Sequence, residues 1–114
     1  MNQILKTYML DIIGSIEQIE ILLEEYYFET FFKNLKIKSS VVRILEIIGE
    51  AANKIPIEFK NQFQEVPWSK ISGMYSNSHN KYFDADTKEV WDISTIELPS
   101  LKLKFIKIFE SLNL

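Results

Sequence analysis

Apolar residues recur at three- and four-residue steps over the first part of the chain, with polar residues between them. This spacing predicts a long amphipathic helix from Ile4 to Leu23. Its buried stripe is expected to contain Leu5, Met9, Ile12, Ile16, Ile19 and Leu23. The aromatic segment from Tyr26 to Phe32 predicts a short second helix that ends near Asn34, with its rings in the core or at a dimer seam.

A second helical pattern follows, and it carries apolar side chains on both faces. Ser39 or Ser40 is expected to cap this helix, and Pro56 is expected to end it. The apolar positions are Val42, Ile44, Leu45, Ile47, Ile48, Ala51, Ala52 and Ile55. Because both faces are apolar, the helix is predicted to be central. Gly49 in its interior costs about 1 kcal/mol relative to alanine, which a close helix crossing or a subunit contact would explain.

The second half of the chain predicts several shorter helices. A helical turn is expected from Ile57 to Phe63, and Val66 to Trp68 forms a rigid entry to a helix that continues through Tyr75 to Lys81. After a loop from Asp84 to Thr87, Thr87 is expected to cap a helix that contains Glu89, Val90, Trp91 and Ile93, and Pro99 is expected to restart the last helix. The buried stripe of that helix is Leu101, Phe105, Ile108, Phe109 and Leu112. The pattern contains no convincing strand, so the predicted fold class is all-α, an antiparallel bundle of about five to six helices in one domain over residues 1–114.

The composition is that of a folded protein. With 114 residues, 46% of them hydrophobic and 25% charged, the chain is expected to form one core, and a subunit interface would help it to bury apolar surface. No apolar run reaches the roughly 18 residues of a membrane span, and no signal-peptide pattern is present. We therefore expect a cytoplasmic protein with no membrane association. There are no cysteines, and no metal-ligand cluster or cofactor loop is recognisable, so no metal or cofactor is predicted.

The charges of the chain limit how it can bind a polyanion. The formal net charge is −3, so any contact with RNA requires a local basic patch. Arg43 is the only arginine. A guanidinium offers a planar, charged fork to a phosphate, which a lysine does not reproduce. Arg43 is therefore the sole candidate for that task within one chain.

Two runs of residues are more specific than ordinary helix sequence. They are RILEIIGEAANKIP, which starts at Arg43, and VPWSKISGM, which starts at Val66 and leads into YSNSHNKYF. These runs resemble the HepT-like toxin family, helical proteins of the HEPN (higher eukaryotes and prokaryotes nucleotide-binding) group that are encoded beside a minimal nucleotidyltransferase antitoxin. The matching positions are Leu45 to Ala51, Val66 to Trp68, Gly73, Met74, Tyr82, Phe83, Val90, Trp91, Leu98 and Pro99. The resemblance covers nearly the whole chain, and it implies a homodimer, the nucleotidyltransferase as a partner, and RNA as a substrate.

The resemblance also implies a reaction, the metal-independent cleavage of RNA. In it a His moves the proton of the 2′-hydroxyl and an Arg stabilises the developing phosphorane. Counted back from Tyr82 and Phe83, the family positions of Arg, Asn and His are occupied here by Tyr75, Ser76 and Asn80. Neither Tyr75 nor Asn80 supplies the chemistry of the residue it replaces. Tyr82 matches the family position that accepts AMP groups from the partner nucleotidyltransferase.

Neighbouring residues keep other arrangements of the site open. His79 lies one residue before the family's His position, which is about 100° away on a helix, and a π-type bulge would bring it into the site. Lys81 or Arg43 is an alternative source of positive charge. Glu50 lies in a matched run and either lines the site or, like Glu46, forms ion pairs, which are expected between Glu46 and Arg43 or between Glu50 and Lys54.

Three functions therefore remain open on the sequence. The first is the RNA-cleaving toxin component of a toxin–antitoxin pair, with a degenerate motif. The second is a non-catalytic helical dimer that binds the nucleotidyltransferase or is AMPylated by it, which the loss of both Arg and His favours. The third is a plain dimeric helical module whose polar groove binds a nucleotide or another protein.

Overall fold

The computed structural model describes residues 2–75 and 87–112. Its α-helices are α1 (Asn2–Leu22), α2 (Phe28–Lys33), α3 (Leu35–Asn53), α4 (Ile57–Lys60), α5 (Trp68–Lys70), α6 (Thr87–Asp92) and α7 (Leu98–Ser111). Two π-helical turns extend them: π1 (Ile71–Tyr75) continues α5, and π2 (Ile93–Glu97) joins α6 to α7. These two ranges contain no strand, which confirms the all-α prediction. Within them, no helix combines the length and the apolar character that crossing a lipid bilayer requires.

All six residues of the predicted apolar stripe are buried, five of them on α1 and the sixth, Leu23, directly after its end. The helix packs against α3 and α7. Ile21, near the end of α1, lines the same groove as Ser40, near the start of α3. Glu20 similarly meets Lys102, near the start of α7. Both neighbours therefore run antiparallel to α1, as predicted.

An ion pair between Lys102 and Glu20 joins α7 to α1. The Lys102 Nζ donates a hydrogen bond to Glu20 Oε1 at 2.7 Å, and the two side chains are 22% and 34% exposed. This hydrogen bond raises the pKa of Lys102, and the negative charges of Glu20 and Glu17 add to the effect, while partial burial opposes it. The pair links two helices that are far apart in sequence.

A single residue, Asn34, separates α2 from α3. Its Oδ1 accepts a hydrogen bond from the Ile37 backbone N–H at 3.0 Å, and its Nδ2 donates to the Tyr26 hydroxyl at 3.2 Å. Asn34 is thus the N-cap of α3. The prediction that Ser39 or Ser40 caps this helix is wrong, because both lie within it after the chain has already turned helical at residue 35.

The aromatic residues of α2 divide between the core and the surface. Phe31 is fully buried and packs against Trp91 at a centroid distance of 5.2 Å. Phe28 contacts the same indole edge-on at 6.3 Å. Tyr27 and Phe32, in contrast, are 73% and 53% exposed. The expected core role is therefore confirmed for Phe31, while the dimer seam stays a prediction.

α3 ends at Asn53, two residues earlier than the apolar pattern through Ile55 indicated. Pro56 explains the earlier end, because a proline disfavours the helical conformation at the residue before it. The Lys54 backbone N–H closes the last turn of α3. Pro56 then precedes α4, which begins at Ile57 as predicted but ends at Lys60, three residues before the predicted end at Phe63. Gly49 is among the buried residues of α3.

Pro99 is accommodated by π2. Proline carries no backbone N–H and its ring clashes with the carbonyl four residues back, which here belongs to Thr95. The helix widens ahead of the proline, so that the Leu98 N–H donates to the Ile93 carbonyl, five residues back. The Thr95 hydroxyl donates to the Trp91 carbonyl at 2.8 Å. Pro99 is therefore the second residue of α7, one residue after the start of the helix, and it does not interrupt the helical segment from Thr87 to Ser111.

Candidate functional site

Trp68 fixes the start of the helix that leads to the motif. Its indole is 8% exposed, and its Nε1–H donates to the Phe63 carbonyl at 2.9 Å. The ring meets Phe105 of α7 edge-on at a centroid distance of 5.7 Å. The Trp68 backbone N–H also donates to the carbonyl of buried Val66 at 2.9 Å. A buried indole needs a partner for its one polar atom, and the turn that precedes α5 provides it.

π1 carries the chain from α5 towards the motif and packs along α3. Ile71, its first residue, is fully buried, which anchors the turn in the core. A π-turn holds one residue more than an α-turn.

The location of π1 bears on the bulge expected near His79. The family's His position lies two residues before Tyr82, whereas His79 lies three residues before it. For His79 to take the family's position relative to Tyr82, the extra residue of a bulge has to lie between His79 and Tyr82. π1 ends at Tyr75, before both residues, and so leaves the spacing between them unchanged. The described π-turn is therefore not that bulge, and the role of His79 stays a prediction.

Of the predicted motif, residues 75–82, the structure describes only the first position. Tyr75, in the family's Arg position, is the last residue of π1. Outside the described residues lie the other predicted site positions Ser76, His79, Asn80, Lys81 and Tyr82, and also Asp84 to Asp86 of the predicted loop. The roles of these residues remain predictions. Among the described residues, no cluster of His, Asp or Glu side chains is arranged to hold a metal ion.

Arg43 lies on α3 between two glutamates. Its Nη1 is 3.8 Å from Glu46 Oε1 and 3.9 Å from Glu50 Oε1. The predicted pair with Glu46 is confirmed, whereas Glu50 pairs with Arg43 and not with Lys54. The Arg43 and Glu50 side chains are 63% and 57% exposed, so such pairs contribute at most about 1 kcal/mol. The roles of Arg43 as a source of positive charge and of Glu50 in lining a site stay predictions.

Comparison with known proteins places the described elements in a family. The family model described as "HepT-like: Ribonuclease HepT-like" matches residues 12–108. The chain is 40% identical over 103 residues to a Thermococcus cleftensis protein named "Probable ribonuclease HepT", and the alignment covers 90% of this chain and 94% of that protein. Two Methanocaldococcus jannaschii proteins whose names mark them as candidate RNases are each 32% identical over 109 residues, which is 96% of this chain and 94% or 90% of theirs. No solved structure matches the chain.

Proposed function

Because the chain belongs to the family of HepT-like ribonucleases, we propose that it is the ribonuclease-type toxin of a toxin–antitoxin pair, with a minimal nucleotidyltransferase as its partner. The extent of the family match carries this proposal. The match runs from residue 12 to residue 108 and so includes α3, the Trp68 entry, the motif segment and most of α7. RNA is the proposed substrate, since relatives over nearly the whole chain are named as ribonucleases.

Cleavage of RNA without a metal ion sets two requirements for the motif segment. One group has to move the proton of the 2′-hydroxyl, and a positive charge has to stabilise the phosphorane. Tyr75 and Asn80 meet neither requirement. His79 is the only histidine of the chain, and an imidazole is suited to proton transfer near neutral pH. In this proposal His79 moves the proton, and Lys81 supplies the charge.

A homodimer is part of the proposal, because the family arrangement doubles the motif across a two-fold axis. Large apolar side chains remain exposed at the end of α1 and around α2: Ile21 is 70% exposed, Tyr27 73% and Leu35 60%. Exposed apolar surface of this kind is typical of an interaction site. A second copy that covers this surface would remove it from water and would bring two motif segments into one assembly.

The presence of Tyr75 and Asn80 at the family's Arg and His positions favours a second candidate function. In that case the chain is a non-catalytic helical dimer, which binds the nucleotidyltransferase or is AMPylated by it at Tyr82. Modification requires only the tyrosine hydroxyl from this chain: its oxygen attacks the α-phosphate of ATP bound to the nucleotidyltransferase, the phenolic proton is lost, and pyrophosphate leaves as the bond between the α- and β-phosphates breaks. The nucleotidyltransferase supplies the catalytic groups. Neither an arginine nor a basic histidine in this chain is needed for that reaction.

RNA cleavage by the purified chain tests the first function. The assay contains a chelator, which excludes contaminating metal-dependent nucleases. Cleavage that disappears in His79→Ala supports the ribonuclease proposal. Cleavage only by a variant that carries Tyr75→Arg, Ser76→Asn and Asn80→His contradicts it for the natural chain, because the scaffold is then intact but its own residues are inactive.

Co-expression with a minimal nucleotidyltransferase tests the second function. Stable co-purification without growth arrest, together with a gain in mass of one or more AMP groups, supports it. The mass gain is expected to be absent in Tyr82→Phe, which keeps the ring but removes the hydroxyl. A mass gain that persists in this variant contradicts Tyr82 as the modified residue.

A further inference from the structure

An open pocket of about 590 Å³ lies where the end of α3, the α4 turn and the start of α5 meet. Asn53 closes one side, Ile57 and Lys60 of α4 form another, and Ser69 and Ser72 come from the helix that leads to the motif. Sites for small ligands have volumes of about 300 to 1,000 Å³. The pocket therefore has room for one nucleotide.

The charges around this pocket differ from those of the whole chain. Lys60 and Lys70 line it, and none of its described lining residues is acidic. Lys70 pairs with Glu97 at 3.0 Å. No carboxylate of the described residues lies within ion-pair distance of Lys60, whose Nζ is 6.0 Å from the centre of the Trp68 ring. The acidic side chains Glu17, Glu20 and Glu24 line a separate surface at the end of α1 and just beyond it.

Lys60 thus supplies the local positive charge that a chain of net charge −3 needs in order to hold a phosphate. Lys70, which shares its charge with Glu97, also lines the pocket. Phosphate contacts by lysine supply affinity without sequence preference. The phosphate of a nucleotide is a ligand that suits these charges.

The remaining lining suits the base and the sugar of a nucleotide. Asn61 and Gln64 are exposed at the pocket and offer amide donors and acceptors, which read base edges in single strands. Ile57 is 63% exposed there and, with Pro67, forms an apolar surface against which a base can lie. Positive charge and amide groups are features of sites that bind unpaired nucleotides, and here Ile57 and Pro67 offer an aliphatic surface in place of the aromatic ring on which such bases usually stack.

Ser72 adds a hydroxyl group to the lining of the pocket. Its Oγ is shielded from solvent and has no hydrogen-bond partner among the described residues. Buried hydroxyl groups nearly always have a partner. Because Ser72 lines the pocket, rotation about its χ1 angle can turn the hydroxyl towards a bound nucleotide and satisfy it.

We propose that this pocket binds one nucleotide of a single-stranded RNA and so positions the adjacent nucleotides at the motif. The inference rests on the proposed function for the identity of the ligand as RNA. Ser72 lies on π1, three residues before Tyr75. Three residues of α-helix advance only about 4.5 Å along the axis. A nucleotide held beside Ser72 therefore leaves its neighbour next to the start of the motif.

Binding of an RNA that cannot be cleaved tests the pocket separately from catalysis. The probe is a short, fluorescently labelled single-stranded oligoribonucleotide with methylated 2′-hydroxyls, and its affinity for the full chain is measured by fluorescence anisotropy. Lys60→Glu is expected to weaken binding roughly tenfold and to lower the slope of log affinity against log salt by about 0.7, the value for one lost phosphate contact on a single strand.

Lys36→Glu is the matched control. It makes the same change of charge at an exposed lysine near the other end of α3, about 25 Å from Asn53 at about 1.5 Å per residue. The control is expected to bind the probe like the unaltered chain. Gln64→Ala, which leaves the charge unchanged, is expected to weaken binding severalfold with no change in the salt slope.

The outcomes separate this inference from the proposed function. Loss of binding in Lys60→Glu alone supports the pocket, even if the natural chain cleaves no RNA. Equal losses in Lys60→Glu and Lys36→Glu overturn it, since only net charge then matters, and absence of RNA binding by the unaltered chain overturns it as well. Cleavage that is retained in full by Lys60→Glu, with unchanged binding, leaves the ribonuclease proposal standing and contradicts the pocket.

Discussion

Trp68 combines two requirements that few side chains meet together. Its ring fills space against α7, and its Nε1–H satisfies a backbone carbonyl just before α5. Trp91 provides a comparison, since it packs against Phe31 but its indole N–H has no hydrogen-bond partner among the described residues. Trp68 therefore both packs and donates a side-chain hydrogen bond, whereas Trp91 contributes by packing.

The two tryptophans are expected to differ in how much they stabilise the fold. Trp68→Phe removes part of a buried ring and also the hydrogen bond, and it is expected to lower the free energy of unfolding by about 2 kcal/mol. Trp91→Phe removes the same atoms from a half-buried ring and is expected to cost about 1 kcal/mol. Urea unfolding followed by circular dichroism measures both values. A loss in Trp91→Phe as large as that in Trp68→Phe would contradict the assigned role of the Nε1 bond.

The Lys102–Glu20 pair yields a prediction about pH. The folded-state pKa of Lys102 is raised above its ordinary value of 10.5, so the folded chain holds this proton more tightly than the unfolded chain. The stabilisation is therefore fully present below pH 10.5 and is lost as the pH rises through the raised pKa.

Lys102→Met retains most of the aliphatic stem and removes the charge. The difference in unfolding free energy between the natural chain and this variant is expected to shrink as the pH rises above 10.5. Lys88→Met is the control, because it removes a lysine from an exposed pair with Asp92 at 3.1 Å. A difference that stays constant over this alkaline range would show that Lys102 acts through packing and not through its charge.

At the scale of the elements, the start of α3 depends on one side chain. Asn34→Ala removes the cap and also the bond to the Tyr26 hydroxyl, and it is expected to lower the free energy of unfolding by about 1 kcal/mol. Ser39→Ala, inside the same helix, is expected to be neutral or slightly stabilising, since alanine is the better helix former. Thermal or urea unfolding measures the change in stability of both variants. Equal losses would mean that the first turn of α3 does not depend on the cap.

The elements also show what a linear pattern predicts well. The stripe of α1 was predicted residue by residue, because apolar spacing is a direct record of which side of a helix is buried. The α3 cap was missed because only one residue separates α2 from α3. Leu35, the first residue of α3, is exposed, so it does not belong to the apolar spacing that marks the buried side of the helix. The π-turns were not predicted, since one extra residue in a turn leaves the apolar spacing on either side intact.

The candidate site was predicted to a different extent. The Arg43–Glu46 pair follows directly from a spacing of three residues on a helix. The lysine-lined pocket could not be predicted in this way, because it forms only when the end of α3, the α4 turn and the start of α5 converge. The family resemblance assigned roles to residues 75–82, yet the described ranges include only the first of these positions.

For the whole molecule, the exposed apolar residues predict association. Sedimentation at micromolar concentration is expected to show a dimer of the full chain. Ile21→Glu, at the groove between α1 and α3, is expected to shift the equilibrium from dimer towards monomer, because a carboxylate that is buried without a partner in the dimer interface is costly. Leu103→Glu makes the same type of change at a residue that is 61% exposed on α7 and serves as the control. A natural chain that sediments only as a monomer would count against a site shared by two copies.

The acidic surface of α1 and the lysine-lined pocket lie near opposite ends of α3, which has a consequence for encounters in solution. The lysines at the pocket attract a polyanion locally before any contact forms, so an approaching RNA meets a favourable potential on this side of the molecule. This guidance acts on the rate of association more than on the lifetime of the complex, and it fades as salt shortens the screening length to about 8 Å or less.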